Sequence, residues 1–228
     1  LAVAAGTDDA EEYTNGAVSL ASGTLELVRD ETVAPPRPCD QVVGLRFAGV
    51  PILPGSVVTS AWLVLTADGT NAAPAELTVR AEGSDHAGTF AAALTNVSGR
   101  VRTTAQVAWS VPAWTRAGAA GAAQRSPALT ALVQAVVNRA GWQAGQALAL
   151  VITGTGTRPA TAADAATTER PAARLHVAWT PGPVLADGDG DGLSDVWETT
   201  YFGGTNAALG GASQDYDGDG VVNRAEFV

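Results

Sequence analysis

Val57-Val58-Thr59-Ser60-Ala61-Trp62-Leu63-Val64-Leu65-Thr66-Ala67 decides the fold class. It is rich in β-branched and aromatic residues, and its side chains divide by alternation: Ala61, Leu63 and Leu65 on one face, Trp62, Val64 and Thr66 on the other. Both faces are apolar enough to predict a central strand. Pro54-Gly55 precedes it and Asp68-Gly69 follows, supplying the fixed and the positive φ at which a chain reverses. Similar short segments recur at Thr24 to Val28, Gln41 to Ala48, Glu76 to Ala81, Gln106 to Trp109, Gln146 to Thr153 and Ala173 to Thr180. That rhythm predicts an antiparallel β-sandwich.

A single helix interrupts the pattern. Leu129, Leu132, Val133, Val136 and Val137 follow helical spacing; Ser126 is placed to cap, Pro127 to open the first turn and Gly141 to end the helix. The expected role is a lid over one open end of the sandwich.

Charge divides the 228-residue chain in two. Residues 187 to 228 carry seven Asp and two Glu against Arg224, so −8 of the net −10 lies there. The join is expected at Thr180-Pro181-Gly182-Pro183, giving a sandwich at 1–180, a linker at 181–186 and a second module at 187–228. The absence of lysine and the acidic balance argue against nucleic acid as a partner. No apolar run is long enough to span a membrane. The lone Cys39 cannot form an internal disulfide. A chain that starts at Leu1 and holds no methionine reads as a processed piece, which makes an exported, extracellular or cell-surface protein the expectation.

The acidic module carries the most specific signal. Asp187-Gly188-Asp189-Gly190-Asp191-Gly192-Leu193-Ser194-Asp195-Val196-Trp197-Glu198 satisfies the calcium-loop pattern at every constrained position, and Asp215-Tyr216-Asp217-Gly218-Asp219-Gly220-Val221-Val222-Asn223-Arg224-Ala225-Glu226 satisfies it again. Calcium takes six to eight oxygens, and alternate carboxylates converge on it when the chain turns sharply at the sixth position, here Gly192 and Gly220. Two Ca²⁺ sites are therefore expected. Asp187, Asp189, Asp191, Glu198 and their counterparts Asp215, Asp217, Asp219, Glu226 would supply carboxylates, Leu193 and Val221 their carbonyls, and Asp195 and Asn223 the ninth position. Magnesium suits the pattern less, because it prefers fewer protein oxygens. No helical pattern precedes either loop; Val196, Trp197 and Tyr201 predict one after the first, ending at Gly203-Gly204, and Phe227 would begin another.

No catalytic constellation is legible. His176 lies within a strand-like run, Asp85-His86 at a turn, and no nucleophile elbow or placed carboxylate pair accompanies them, so the chain is expected not to be an enzyme. Asp8-Asp9-Ala10-Glu11-Glu12 reads as an acidic approach to the first strand, with a further cation site as the alternative.

The order Val43-Gly44-Leu45-Arg46-Phe47, Ser60-Ala61-Trp62-Leu63, Arg102-Thr103-Thr104, Val107-Ala108-Trp109, the helix, Ala147-Leu148-Ala149-Leu150, and Glu169-Arg170-Pro171 before Leu175-His176-Val177 resembles the DNRLRE-type modules of secreted bacterial proteins, over roughly residues 8 to 180. The resemblance implies a carbohydrate-binding-module-like jelly roll, and some relatives bind acidic polysaccharides such as alginate. The loop-then-helix tail resembles dockerin-like and thrombospondin type 3-like repeats, with Ser194 standing where a paired EF-hand loop has an apolar residue. Together these readings lead to a non-catalytic calcium-binding structural protein, associating with copies of itself or with other surface proteins. They make the apolar stretch Leu1 to Ala5 a candidate strand for a neighbour's sheet. The alternative is a module for an acidic polysaccharide, with Arg100 and Arg102 as its cations.

Overall fold

A computed structural model describes residues 1–31, 39–181, 187–205 and 207–226. The described chain divides into two units, Leu1–Gly182 and Pro183–Val228. The boundary agrees with the charge and proline signals; residues 182–186 of the expected linker lie outside the described residues.

The first unit is antiparallel β. Its strands are β1 (Asp9–Tyr13), β2 (Val18–Ser19), β3 (Thr24–Glu26), β4 (Arg29–Asp30), β5 (Cys39–Phe47), β6 (Val57–Val64), β7 (Glu76–Ala81), β8 (Val107–Ser110), β9 (Leu148–Thr155), β10 (Pro159–Thr161) and β11 (Arg174–Thr180), with helix α1 (Thr130–Val137) between β8 and β9. The large sheet runs β2-β1-β5-β9-β7-β8, with β4 also on β5; β10 pairs with β3 and β11 with β6. Val43, Leu45, Phe47, Leu77, Val79, Leu150 and Ile152 from the large sheet meet Ala61, Leu63 and Leu175 from the β6–β11 pair in one core, so the two layers form a sandwich.

The outer face of the large sheet is covered too. Phe90, Ala87 and Val97 from the connection after β7 pack on Ala10, Ala147, Ala149 and Val151. This double cover explains why Leu148 to Ile152 is buried at every position instead of alternating. Gly44 makes it possible: a Cβ there would lie 2.4 Å from the Phe90 ring.

The central strand is corrected, and the start of the helix with it. β6 pairs with β11 alone on one side, and the alternation resolves into buried Ala61, Leu63 and Leu65 against half-buried Trp62 and Val64. Its other edge is met by the segment running into α1. Ser126 N donates to Leu63 O (2.9 Å) and Leu129 N to Ala61 O (2.8 Å), while Leu63 N donates to Ser126 Oγ (2.9 Å) and Val58 N to Gln134 Oε1 (2.7 Å). The helix thus covers the core beside the β6 edge, and the segment that leads into it satisfies the free amides of that edge. It starts at Thr130, not Pro127, because Ser126 is spent on β6. Leu132, Val133, Val136 and Val137 are buried as their spacing predicts, each worth roughly 1.5–3 kcal/mol of transfer free energy.

Asp8 to Glu12 is also corrected. Residues 9–12 belong to β1, an interior strand of the large sheet that Asp8 directly precedes, and Asp8, Asp9, Glu11 and Glu12 are all buried. Each has a partner there. Asp8 pairs with Arg46 at 2.5 Å, Asp9 accepts from Ala163 N, Glu11 accepts from Glu26 N, and Glu12 accepts from Val97 N, Ser98 N and the Ser98 hydroxyl. The first residues of Leu1 to Ala5 pair within the chain. Ala2 bridges to Arg174 and Val3 N donates to Ala173 O (2.9 Å), so the segment extends the chain's own β11 edge.

The second unit holds α2 (Asp195–Phe202) and α3 (Asn223–Glu226), each begun inside an acidic loop. Ser194 caps α2 by accepting from Trp197 N at 3.1 Å, and Gly203 ends it at φ 81°. The second helix starts four residues before Phe227, which lies outside the described residues. Among the described residues no helix is long and apolar enough to cross a membrane.

Candidate metal centre

The two acidic loops repeat one hydrogen-bond pattern. In the first, Asp187 accepts from Gly190 N (2.7 Å) and Gly192 N (2.9 Å); Asp191 accepts from Leu193 N (2.8 Å) and Asp195 from Gly188 N (2.7 Å). In the second, Asp215 accepts from Gly218 N (2.8 Å) and Gly220 N (2.9 Å); Asp219 accepts from Val221 N (2.8 Å) and Asn223 from Tyr216 N (2.9 Å). The sixth-position glycines supply the turn, at φ 93° for Gly192 and 96° for Gly220, a region that other residues enter at a cost of about 1–2 kcal/mol.

This winding gathers the carboxylates as the spacing predicts. Asp187, Asp189 and Asp191 bring one oxygen each within 4.8 Å of one another, and so do Asp215, Asp217 and Asp219. Such oxygen-only clusters suit a hard divalent cation.

The closing glutamates differ. Glu198 is fully buried and neither carboxylate oxygen has a hydrogen-bond partner. Burial, then Asp189, Asp191, Asp195 and Asp187, raises its pKa above the ordinary carboxylate range. Glu226 is exposed, and its pKa is raised in the same direction by residual desolvation and by Asp217, Asp219 and Asp215. The first loop is therefore closed at its twelfth position by a buried side chain and the second is open there, while the clustered oxygens themselves are those of the aspartates.

The ninth positions also part company. Asp195 is only half-buried beside the first loop. Asn223 is fully buried, and its Nδ2 donates to Leu209 O (2.8 Å) and Gly211 O (2.9 Å), so the side chain props the segment between the loops. The same segment touches the first loop, where Ala212 N donates to Asp191 Oδ2 at 2.7 Å. Leu193 is buried and Val221 exposed, which matches the closed and open loops around them.

Elsewhere, the arginines expected to serve an acidic glycan are committed internally. Arg100 pairs with Glu82 at 2.7 Å, lies 4.2 Å from the centroid of the Phe90 ring and donates to Gly88 and Thr89 carbonyls; Arg102 donates to Ser98 O. His86 Nδ1 accepts from Ala147 N and Asp85 pairs with Arg139, a structural use of that turn. Sequence reasoning missed the Glu11–Glu26 contact between β1 and β3. There desolvation, then the charge of Glu26, pushes Glu11 up to about 9.

Compared with known proteins, the chain matches no family model and no curated sequence.

Proposed function

We propose that this is a non-catalytic, extracellular or cell-surface structural protein whose C-terminal loops hold two Ca²⁺ ions and whose C-terminal unit joins copies of the chain. Glu198 carries the reading. A buried carboxylate with no donor is expensive, and four further carboxylates around it raise the cost; a divalent cation removes both penalties at once. The residues present fit such an ion at the first loop, with Asp187, Asp189, Asp191 and Glu198 as side-chain donors and the Leu193 carbonyl beside them. Calcium is favoured over magnesium because the donors are many, all oxygen, and set in a loop that has room to adjust.

Self-association is supported by where the apolar surface lies. Of the ten exposed large hydrophobics among the described residues, five (Tyr201, Leu209, Tyr216, Val221 and Val222) fall in the C-terminal unit. A rigid, ion-filled loop presenting such residues is a ready contact for a second copy.

Calorimetric titration with Ca²⁺ and Mg²⁺ tests the first half: two Ca²⁺ per chain, with Mg²⁺ weaker, is expected, and no heat with either ion refutes it. Light scattering with and without a chelator tests the second. A monodisperse monomer at every calcium concentration ends the assembly half while leaving the metal half intact.

A further inference from the structure

The outer face of the β6–β11 pair carries a second, unrelated site. Arg125 forms an isolated bridge with Val64, and Val64 pairs with Arg174, so Arg125, Val64 and Arg174 stand in one row across three chain segments. Directly paired residues project to the same face of an antiparallel sheet, with adjacent strands about 4.8 Å apart, so the two arginine roots lie roughly 10 Å from each other. Long side chains span that interval easily. The next row holds Trp62 opposite His176, their rings stacked at 5.3 Å between centroids and 6° between planes. These four line a concavity of about 410 Å³ floored by Val64 and Ala172, with no carboxylate on its wall.

What marks the site is unspent donor capacity. The Arg125 guanidinium lies over the Trp62 ring, 4.0 Å from its centre, a cation–π contact that does not occupy its N–H groups. Arg174 is exposed on the same face. Neither arginine makes an ion pair or a side-chain hydrogen bond among the described residues, whereas Arg29, Arg46, Arg100, Arg139 and Arg170 each pair with a carboxylate. Burial first, then the N-terminal ammonium and after it Arg174 and Arg125, holds the His176 pKa below the ordinary imidazole range.

A net −10 chain thus leaves two neighbouring arginines unneutralised at one concavity, one of them over an indole ring, an arrangement suited to negative charge. We infer that the Arg125–Trp62–His176–Arg174 groove binds an oxyanion, a carboxylate or sulfate group of a ligand, gripped in bidentate fashion by Arg125 and closed from the other side by Arg174.

With only two histidines in the chain, the His176 ring protons resolve by NMR and report on the groove directly. The full chain is titrated in metal-free buffer with sodium sulfate, sodium glucuronate and polygalacturonate, each against sodium chloride at equal ionic strength. Working without metal separates this result from the fate of the calcium reading. Saturable movement of His176, absent with chloride and with neutral dextran, is expected. Arg125→Ala and Arg174→Ala should each weaken binding about tenfold or more, and Arg125→Lys should recover part of the loss, since it restores charge but not the fork. Polygalacturonate binding 100-fold tighter than glucuronate would identify a polymer-borne carboxylate; equal affinity per group would identify a free small anion. His176 responding to chloride as strongly as to sulfate and glucuronate, or unaltered binding by both folded alanine variants, overturns the assignment.

Discussion

Glu198→Gln keeps the shape of the side chain and removes its charge, so it separates what the carboxylate contributes with an ion from what it costs without one. In the calcium-free protein, Glu198 is buried, unpartnered and surrounded by Asp187, Asp189, Asp191 and Asp195. Neutralising it there relieves desolvation and like-charge repulsion together, so the variant's C-terminal unit should unfold at higher temperature than the wild type in chelator. In the calcium-loaded protein the sign reverses. Removing one partner of a buried, paired charge costs about 3–5 kcal/mol, which is roughly a 10²- to 10³-fold loss of affinity at the first loop. The pH dependence has the same origin. A raised Glu198 pKa lets a proton compete with the ion from above the ordinary value of 4.5, so first-loop affinity falls as pH drops into that range, and the variant is less affected. Differential scanning calorimetry with and without chelator, together with calcium titration, reads all three effects. A variant that is less stable in chelator and binds calcium as the wild type does would refute the reasoning, because the buried carboxylate would then be neither strained without the ion nor used with it.

Glu11→Gln should flatten the alkaline side of the stability curve: with Glu11 raised to about 9, the wild type is at full stability below the ordinary value of 4.5 and loses it as pH rises through 9, whereas the variant does not, so their urea midpoints should agree in acid and diverge toward pH 10 with the variant higher. Ser126→Ala leaves the buried Leu63 amide without an acceptor and should cost about 1–3 kcal/mol in chemical denaturation of the sandwich, with no change in calcium uptake. Gly220→Ala forces a side chain into φ 96° with nothing else within 4 Å, so about 1–2 kcal/mol of strain, or roughly tenfold in affinity, should appear at the second loop alone when the two loops are titrated by NMR.

The sandwich was legible where side chains alternate against water on one face, and failed where protein covers both faces or where polar residues are satisfied internally. Glu76 to Ala81 was read to the residue because one face meets the core and the other does not. β1 escaped because its acids signal solvent, yet main-chain amides from three other segments, at Glu26, Val97-Ser98 and Ala163, give most of those carboxylates donors inside the protein. No local pattern shows donors that arrive from 15 to 154 residues away. Ser126 misled for a related reason: a serine before a proline has the composition of a helix cap, and only the neighbouring strand edge reveals a stronger use for its hydroxyl and amide. The arginines show the same limit in reverse. Arg100 and Arg102 look free in sequence and are bound, whereas Arg125 and Arg174 become adjacent only through strand pairing.

The acidic loops were legible almost completely because their geometry is local. Every bond that winds them joins residues two to seven apart, so twelve-residue spacing carries nearly all the information. Those bonds also explain how so many carboxylates can be held together. Asp187, Asp191, Asp215 and Asp219 each accept backbone amides, which offset part of their mutual repulsion and shape the turn around any ion. Glu198 is the exception: it receives no amide, lies outside water's reach, and is delivered to its place by a helix whose own cap, Ser194, occupies the position where the sequence departs from a paired EF-hand loop. That departure is therefore not a weakening of the motif. Ser194 fixes the first turn of α2, and the first turn fixes where the carboxylate of Glu198 must end, so Glu198 is placed by a helix cap rather than by a pairing strand.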